Sequence, residues 1–355
     1  MKSFSDIFID CTSAGTKIPK ESYLDSGTHI IIDQGQNEIA GYTNEEAGLY
    51  TDVPAIIFGD HTRAVKYVEE PFFLGADGVK LLKSKVKDAN YKYLYYALKN
   101  AKIPDTGYNR HFKWLKEIEI NYPAPSVQSE IVKTLDSLTT IISYRENELS
   151  KLDELIKARF VEMSSEWNCQ EKPLGDYLDE ITYGFTNPMP DAEEGPWKIT
   201  AKDVVDGHIN FETARKTAKK SFDVLTSKSK PVIGDVLLTK DGTLGRTAIV
   251  EEEGICVNQS VAVLRCNNQV IPRFLSLLLQ LPEYQREMTK NSGGGTIKHI
   301  YITKVDKMFV RIPAIDKQES FIKFVEQVDK SKFAVQKSLD EAQLLFDSLM
   351  QQYFG

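Results

Sequence analysis

The sequence predicts an α+β protein in which a β-rich domain, a long helix, a second β-rich domain and a second long helix follow one another along 355 residues. Three observations carry that prediction: two apolar seams of coiled-coil period, a proline and glutamine entrance before each seam, and short β-like runs broken by turn residues in between. At roughly 150 residues per domain, two core-forming units fit the length. The segments are 1–125 and 170–312 for the β-rich domains and 126–169 and 313–355 for the helices.

The first domain carries strand-like runs at Thr28–Asp33, Val53–Phe58, Val65–Val68 and Phe72–Leu82, separated by Gly, Asp, Asn and Pro. A short helix follows with Tyr93, Leu94 and Ala97 on one face, then a strand-like Glu117–Asn121. Tyr122, Pro123, Ala124 and Gln128 mark a proline exit into a helix start. The helix then places Ile131, Leu135, Leu138, Ile142, Arg145, Leu149, Leu152, Ile156, Arg159 and Met163 at alternating steps of four and three, with neither Pro nor Gly between them.

The second half repeats this order. Trp197–Ala201, Val232–Thr239, Thr247–Val250 and Ile255–Arg265 read as strands, and Phe274, Leu275 and Leu278 line a short helix. The run Phe73–Gly78 aligns with Ile255–Ser260, and the strand-like Lys307–Arg311 precedes Ile312, Pro313, Ala314 and Gln318. Adding 190 to each seam number gives Phe321, Val325, Val328, Lys332, Val335, Leu339, Ala342, Phe346, Leu349 and Tyr353. Framework positions repeat while the loops between them differ, as expected where strands carry stability and loops carry recognition.

Composition excludes several classes. Cys11, Cys169, Cys256 and Cys266 form no CxxC pair, which argues against a zinc ribbon or a disulfide framework and fits a reducing cytoplasm. No run of about 18 apolar residues and no basic-then-apolar start occurs, as expected for a chain with neither a membrane span nor a secretory signal. The net charge of −7 argues against nucleic-acid binding by bulk charge alone. By segment, however, 126–169 and 313–355 carry net −3 and −2, and 170–312 is neutral, so the acidity sits mostly on the helices.

No HExxH, paired metal spacing or GxSxG elbow is present. The stretch Gly293–Lys298 lacks the Gly-Lys-Ser/Thr of a phosphate loop. Asn187–Pro190, Asn121–Ala124 and Phe58–His61 each miss the Asn/Asp-Pro-Pro-Tyr/Phe pattern that grips a flipped base, so the chain does not read as a methyltransferase. The polar loops read instead as DNA-contacting elements, because glycines admit backbone amides to phosphates while Arg, Lys, Asn and Gln read base edges. In the first half the candidates are Lys17, His61, Thr62, Arg63, Asn109, Arg110, His111 and Lys113, with Tyr108, Gly15, Gly59 and Asp60 beside them. In the second half they are Tyr183, Thr186, Lys202, Lys240, Thr243, Arg246, Asn291, Lys298 and His299, with Phe185, Asn187 and Asp241 nearby.

As an ordered whole the chain resembles the specificity subunit of type I restriction-modification systems, over essentially all 355 residues. The resemblance rests on the Pro123–Gln128 and Pro313–Gln318 entrances, preceded by Leu115 and Ile118 and by Val305 and Met308, and on the Gly295–Ile300 stretch with its His-Ile end. The first copy departs there, with Tyr108–Phe112. The resemblance implies a non-catalytic subunit with two target-recognition domains. Each would read one half of an asymmetric bipartite site on double-stranded DNA. The helices would pack as an antiparallel coiled coil with pseudo-two-fold symmetry, and about 35 residues, or about 50 Å, would set the gap between half-sites. The seam would comprise Ile131, Leu135, Leu138, Ile142, Leu149, Leu152 and Ile156 against Val325, Val328, Val335, Leu339, Phe346 and Leu349. The implied partners are two modification (methyltransferase) subunits carrying S-adenosylmethionine and restriction (translocase/nuclease) subunits using ATP and magnesium. The chain itself would hold no cofactor or metal. The competing readings are a stand-alone DNA-binding or scaffolding module, and a methyltransferase or nuclease with unrecognised motifs.

Overall fold

The computed structural model of the chain describes every residue except Ala76, Tyr108, Asn168, Asp206 and 291–298. The chain divides into two compact units, Met1–Glu148 with Val335–Gly355, and Leu149–Ala334. Each unit therefore takes half of both long helices, which run Pro125–Ser165 and Ile315–Phe354. They are shorter at their ends than the expected segments 126–169 and 313–355, except that the first helix begins at Pro125, where a missing N–H costs nothing.

The two units repeat one topology. In the first, an antiparallel sheet has the spatial order Phe8–Asp10, Val79–Ser84, Ala55–Gly59, Val65–Val68. In the second the order is Leu178–Tyr183, Val261–Cys266, Val236–Thr239, Thr247–Ile249. A three-stranded mixed sheet accompanies each: Gly41–Thr43, His29–Ile32, Phe72–Leu74, and Arg215–Lys216, Ala192–Ile199, Ile255–Val257. In both, the central strand runs parallel to the last-named one. A two-residue pairing then ties the beginning of each domain to the strand before the long helix, Lys2–Ser3 with Glu119–Ile120 and Lys172–Pro173 with Phe309–Val310.

Three details differ from the sequence reading. The runs Phe72–Leu82 and Ile255–Arg265 are each two strands, Phe72–Leu74 with Val79–Ser84 and Ile255–Val257 with Val261–Cys266, and they enter different sheets. The alignment of Phe73 with Ile255 is one residue out. Ladder partners place Ile32 opposite Leu74 and Ile199 opposite Val257, so Phe72 is the counterpart of Ile255. The strands expected over Glu117–Asn121 and Lys307–Arg311 shrink to two residues each, the second because Lys307 closes a short helix, Ile302–Lys307.

Each unit's core joins sheet, short helix and both long helices. In the first, Phe58, Leu82, Tyr93 and Leu94 cluster with Ile131, Leu135 and Leu138 from the start of the first long helix and with Phe346 and Met350 from the end of the second. In the second, Val236, Leu264, Phe274 and Leu278 cluster with Phe160 and Met163 from the end of the first long helix and Phe321 and Val325 from the start of the second. Start against end in each unit is an antiparallel pair. In the first unit Ile131, Leu135, Leu138, Val335 and Phe346 are buried, while Ile142, Leu339 and Leu349 are half-buried. In the second unit Val325 and Val328 are buried, with Leu149, Leu152 and Ile156 half-buried. The charged seam positions turn to carboxylates at the rim: Arg145 to Glu148 and Arg159 to Glu162 at 2.6 Å, and Lys332 to Asp153 at 2.7 Å. Their long stems cover the seam while the charge stays wet.

The second unit's sheet also pairs a buried carboxylate with a half-exposed arginine. Asp235, 1 % exposed, accepts from Arg265 Nε at 2.9 Å and Nη2 at 2.8 Å and from the Val232 amide at 2.9 Å. Asp235→Ala removes the acceptor of all three donors and is expected to lower stability by about 1–3 kcal/mol, read as an earlier urea midpoint. An unchanged midpoint would show that Glu180, 3.0 Å from Arg265, replaces Asp235 fully.

Candidate nucleic-acid interface

In the first unit the strand Ala55–Gly59 delivers the loop Asp60–Ala64, and Arg63 adopts φ 62° to close it. Asp60, 3 % exposed, is the anchor. Its carbonyl accepts from the His111 amide at 2.7 Å and lies 3.0 Å from His111 Nδ1, and its carboxylate accepts from the Phe112 amide at 2.8 Å. Gln34 ties this loop to a neighbouring one, accepting from the His61 amide at 3.2 Å and donating to the Asp77 carbonyl at 3.0 Å. The Thr62 hydroxyl donates to the Gln34 carbonyl. Lys17 reaches Asp77 at 2.8 Å. That bond holds the Asp77 carboxyl below the usual range, with a smaller contribution from the charge of Arg110. Lys17, His61, Thr62, Arg110 and Asp77 thus share one edge.

One first-half candidate is corrected, and two others are engaged by neighbours of their own loop. His111 is 1 % exposed and serves as the buried tie to Asp60, so it cannot meet DNA. Asn109 spends its amide on the Thr106 carbonyl at 2.5 Å. Arg63 bends back to Asp105 at 2.7 Å and the Ile103 carbonyl at 3.4 Å. Lys113 is exposed and lies over the Trp114 ring at 4.0 Å.

In the second unit the equivalent strand, Val236–Thr239, delivers Lys240 and Asp241, and the same tie recurs: the Lys240 carbonyl accepts from the Ile300 amide at 2.8 Å. The side chains differ. Asp241 receives Lys240 Nζ at 2.9 Å and His299 Nδ1 at 2.5 Å, and Lys240 stands 5.4 Å from the centre of the Tyr183 ring. Ser260 links the cluster to Lys202, its hydroxyl accepting from the Ala201 amide at 3.0 Å and its carbonyl from the Lys240 amide at 2.9 Å. Tyr183, Phe185, Thr186 and Asn187 wall a cleft of about 740 Å³, faced by Val224 and Lys228. Gly184 permits this path, because a Cβ there would collide with the Val257 carbonyl. Thr243 is exposed on the hairpin tip. Asn291 and Lys298 lie outside the described residues, as does Tyr108. Arg246 does not join this cluster but faces the long helices.

Gln34, Asp77 and Lys228 were missed by sequence reasoning. Gln34 sits in a polar Asp33–Gln36 turn after a strand, the one signal that could have drawn attention to it. Among the described residues neither cluster resembles a reaction centre. Burial pushes the Cys256 thiol up to about 11 and that of Cys266 up to about 12, so neither is a ready nucleophile. Among the described residues no three His, Cys, Asp or Glu groups are placed to hold a metal ion, and no helix is long and apolar enough to cross a membrane.

Comparison with known proteins decides the family. The model of the type I restriction modification DNA specificity domain matches residues 1–154 and again 189–342. The chain belongs to this family. It is 23 % identical over 346 residues to the EcoR124I/EcoR124II specificity subunit of Escherichia coli, covering 88 % of this chain and 82 % of that protein. It is 29 % identical over 174 residues to the EcoBI specificity subunit of Escherichia coli, covering 48 % of this chain but only 36 % of that protein. In fold it is similar to the S subunit of a type I system from M. genitalium, with TM-score 0.55 and 18 % identity over 100 % of this chain and 95 % of that one. A chain from a type I R-M system studied for complex assembly gives TM-score 0.58 at 16 % identity, covering 97 % and 92 %. Each family match spans most of one repeat of strands and the first part of the long helix that follows it.

Proposed function

We propose that this member of the family is the non-catalytic DNA-specificity subunit of a type I restriction-modification complex, each unit reading one half of an asymmetric bipartite site. One observation carries the reading: the two units repeat the same sheets and the same tie between strand end and helix entrance, yet fill the tie with different side chains. Asp60 and a buried histidine occupy it in one unit, and Lys240, Asp241 and a half-exposed His299 in the other. A common frame with unlike polar loops suits two different DNA sequences.

The candidate contacts are Lys17, His61, Thr62, Arg110 and Lys113 in the first unit and Tyr183, Thr186, Lys202, Lys240, Thr243 and His299 in the second. Two modification subunits bringing S-adenosylmethionine, and restriction subunits bringing ATP and magnesium, complete the complex in the cytoplasm. Exposed apolar side chains on the helices support assembly with protein partners: Tyr144 at 69 % and Leu344 at 73 % in the first unit, Phe333 at 75 % in the second. The net charge of −7 implies weak DNA binding by the isolated chain, with partners supplying much of the phosphate attraction.

Co-expression with a cognate type I methyltransferase subunit tests this reading. Genomic adenines are expected to be modified in one split motif only when this chain is present. Modification independent of the chain, or in a single undivided motif, would overturn it.

A further inference from the structure

The second unit holds a cleft of about 590 Å³ between the recognition fold and the long helices, away from the Tyr183 and His299 cluster. Lys157 and Asp153 line it from the first long helix, Lys332 and Asp329 from the second, Arg273 from the short helix Pro272–Leu279, and Arg246 from the foot of the Lys240 hairpin. Four cations face two carboxylates on helices whose overall charge is negative. Both carboxylates are engaged, Asp329 by Arg273 at 3.2 Å and Asp153 by Lys332 at 2.7 Å. Arg246 and Lys157 are exposed and, among the described residues, have no ion-pair partner. We propose that this cleft seats a backbone phosphate of the DNA half-site read by the second unit.

Several features favour that ligand. The excess positive charge calls for an anion, and cations converging on one cleft from several elements suit a phosphate, which positions the duplex, better than a base edge, which needs a side chain projecting into a groove. The two ion pairs are partly exposed and so hold little energy of their own, leaving Arg273 and Lys332 able to share their charge with an incoming anion. Arg246 is also physically coupled to the reading loop. Its amide donates to Thr239 Oγ1 at 2.9 Å and its carbonyl accepts from the Thr239 amide at 2.9 Å, so Arg246 and Lys240 stand at the two feet of one hairpin. DNA engaging the loop at Lys240 would run its backbone past Arg246. Arg246 thereby changes from a sequence-expected base contact to a positioning contact, and Lys157, Arg273 and Lys332 join it from outside the loops.

The proposal rests on the specificity-subunit reading, and the test separates the two. In the complete complex with its methyltransferase partner, Arg246→Ala combined with Lys157→Ala should weaken DNA binding about tenfold near 0.1 M salt. The slope of log affinity against log salt should become shallower by about 1, and the modified motif should be unchanged. A neutral methylphosphonate at the contacted phosphate should weaken the wild-type complex and leave the double variant unaffected. A changed base preference in one half-site would make Arg246 a reader and overturn the proposal. Unchanged affinity and slope would do the same, and with loss of the methyltransferase partner would assign the cleft to an acidic protein surface. A wild-type complex showing no split motif would refute the underlying reading instead.

Discussion

Leu135→Asp is expected to abolish the folded first unit and, with it, assembly of the complex. Leu135 is 0 % exposed and belongs to the cluster that joins Phe58, Tyr93 and Leu94 of the recognition fold to Phe346 and Met350 of the second long helix. A carboxylate there would be buried among apolar side chains. The cost is several kcal/mol for the buried charge and about 2–5 kcal/mol for the lost side chain, against a typical domain stability of about 5–15 kcal/mol. Loss of one of two melting transitions in the full chain, together with failure to copurify with the methyltransferase subunit, is the expected result. Ser137→Asp, two residues away but exposed, should change stability by less than about 0.5 kcal/mol. A Leu135→Asp chain that melts and assembles like the wild type would contradict the helix-pair core.

Much of this architecture was legible because periodicity is a local signal. The four-and-three steps from Ile131 and from Phe321, with no Pro or Gly inside, specify long helices whatever surrounds them. Pro123 and Pro313 mark their entrances, and the glutamines five residues on cap the same turn, Gln128 bonding the Pro123 carbonyl at 2.8 Å and Gln318 that of Pro313 at 2.7 Å. Strand partnership was less legible. An apolar run such as Ile255–Arg265 does not reveal that its first three residues enter a mixed sheet and those from Val261 on an antiparallel one. Ala192–Ile199, with two glutamates, a glycine and a proline, lacks strand alternation altogether.

The candidate contacts were the least legible part, because the use of a polar side chain is settled by partners distant in sequence. His111 looked like a loop donor until Asp60, 51 residues earlier, claimed it. Arg246 looked like a hairpin reader until Lys157, Arg273 and the second long helix turned out to share its cleft. Lys240 and His299 share the half-buried Asp241 as partner, and of the two His299 keeps more of its side chain exposed, 45 % against 16 %.

Exchange of one recognition domain has the largest functional effect. If each unit reads its own half-site, replacing residues 1–125 by the corresponding domain of another family member changes one half of the target and nothing else. The graft must still present apolar side chains to Ile131, Leu135, Leu138 and Phe346, the positions that Tyr93, Leu94 and Ile120 now cover. Residues 170–312, with Tyr183, Lys240 and His299, are untouched, as are both long helices. The decisive measurement is genome-wide mapping of the adenines modified when that chimaera is co-expressed with the proposed methyltransferase partner. One new half-site, with the other half and the gap unchanged, is predicted; a change in both halves, or in neither, would contradict independent reading by two repeated units.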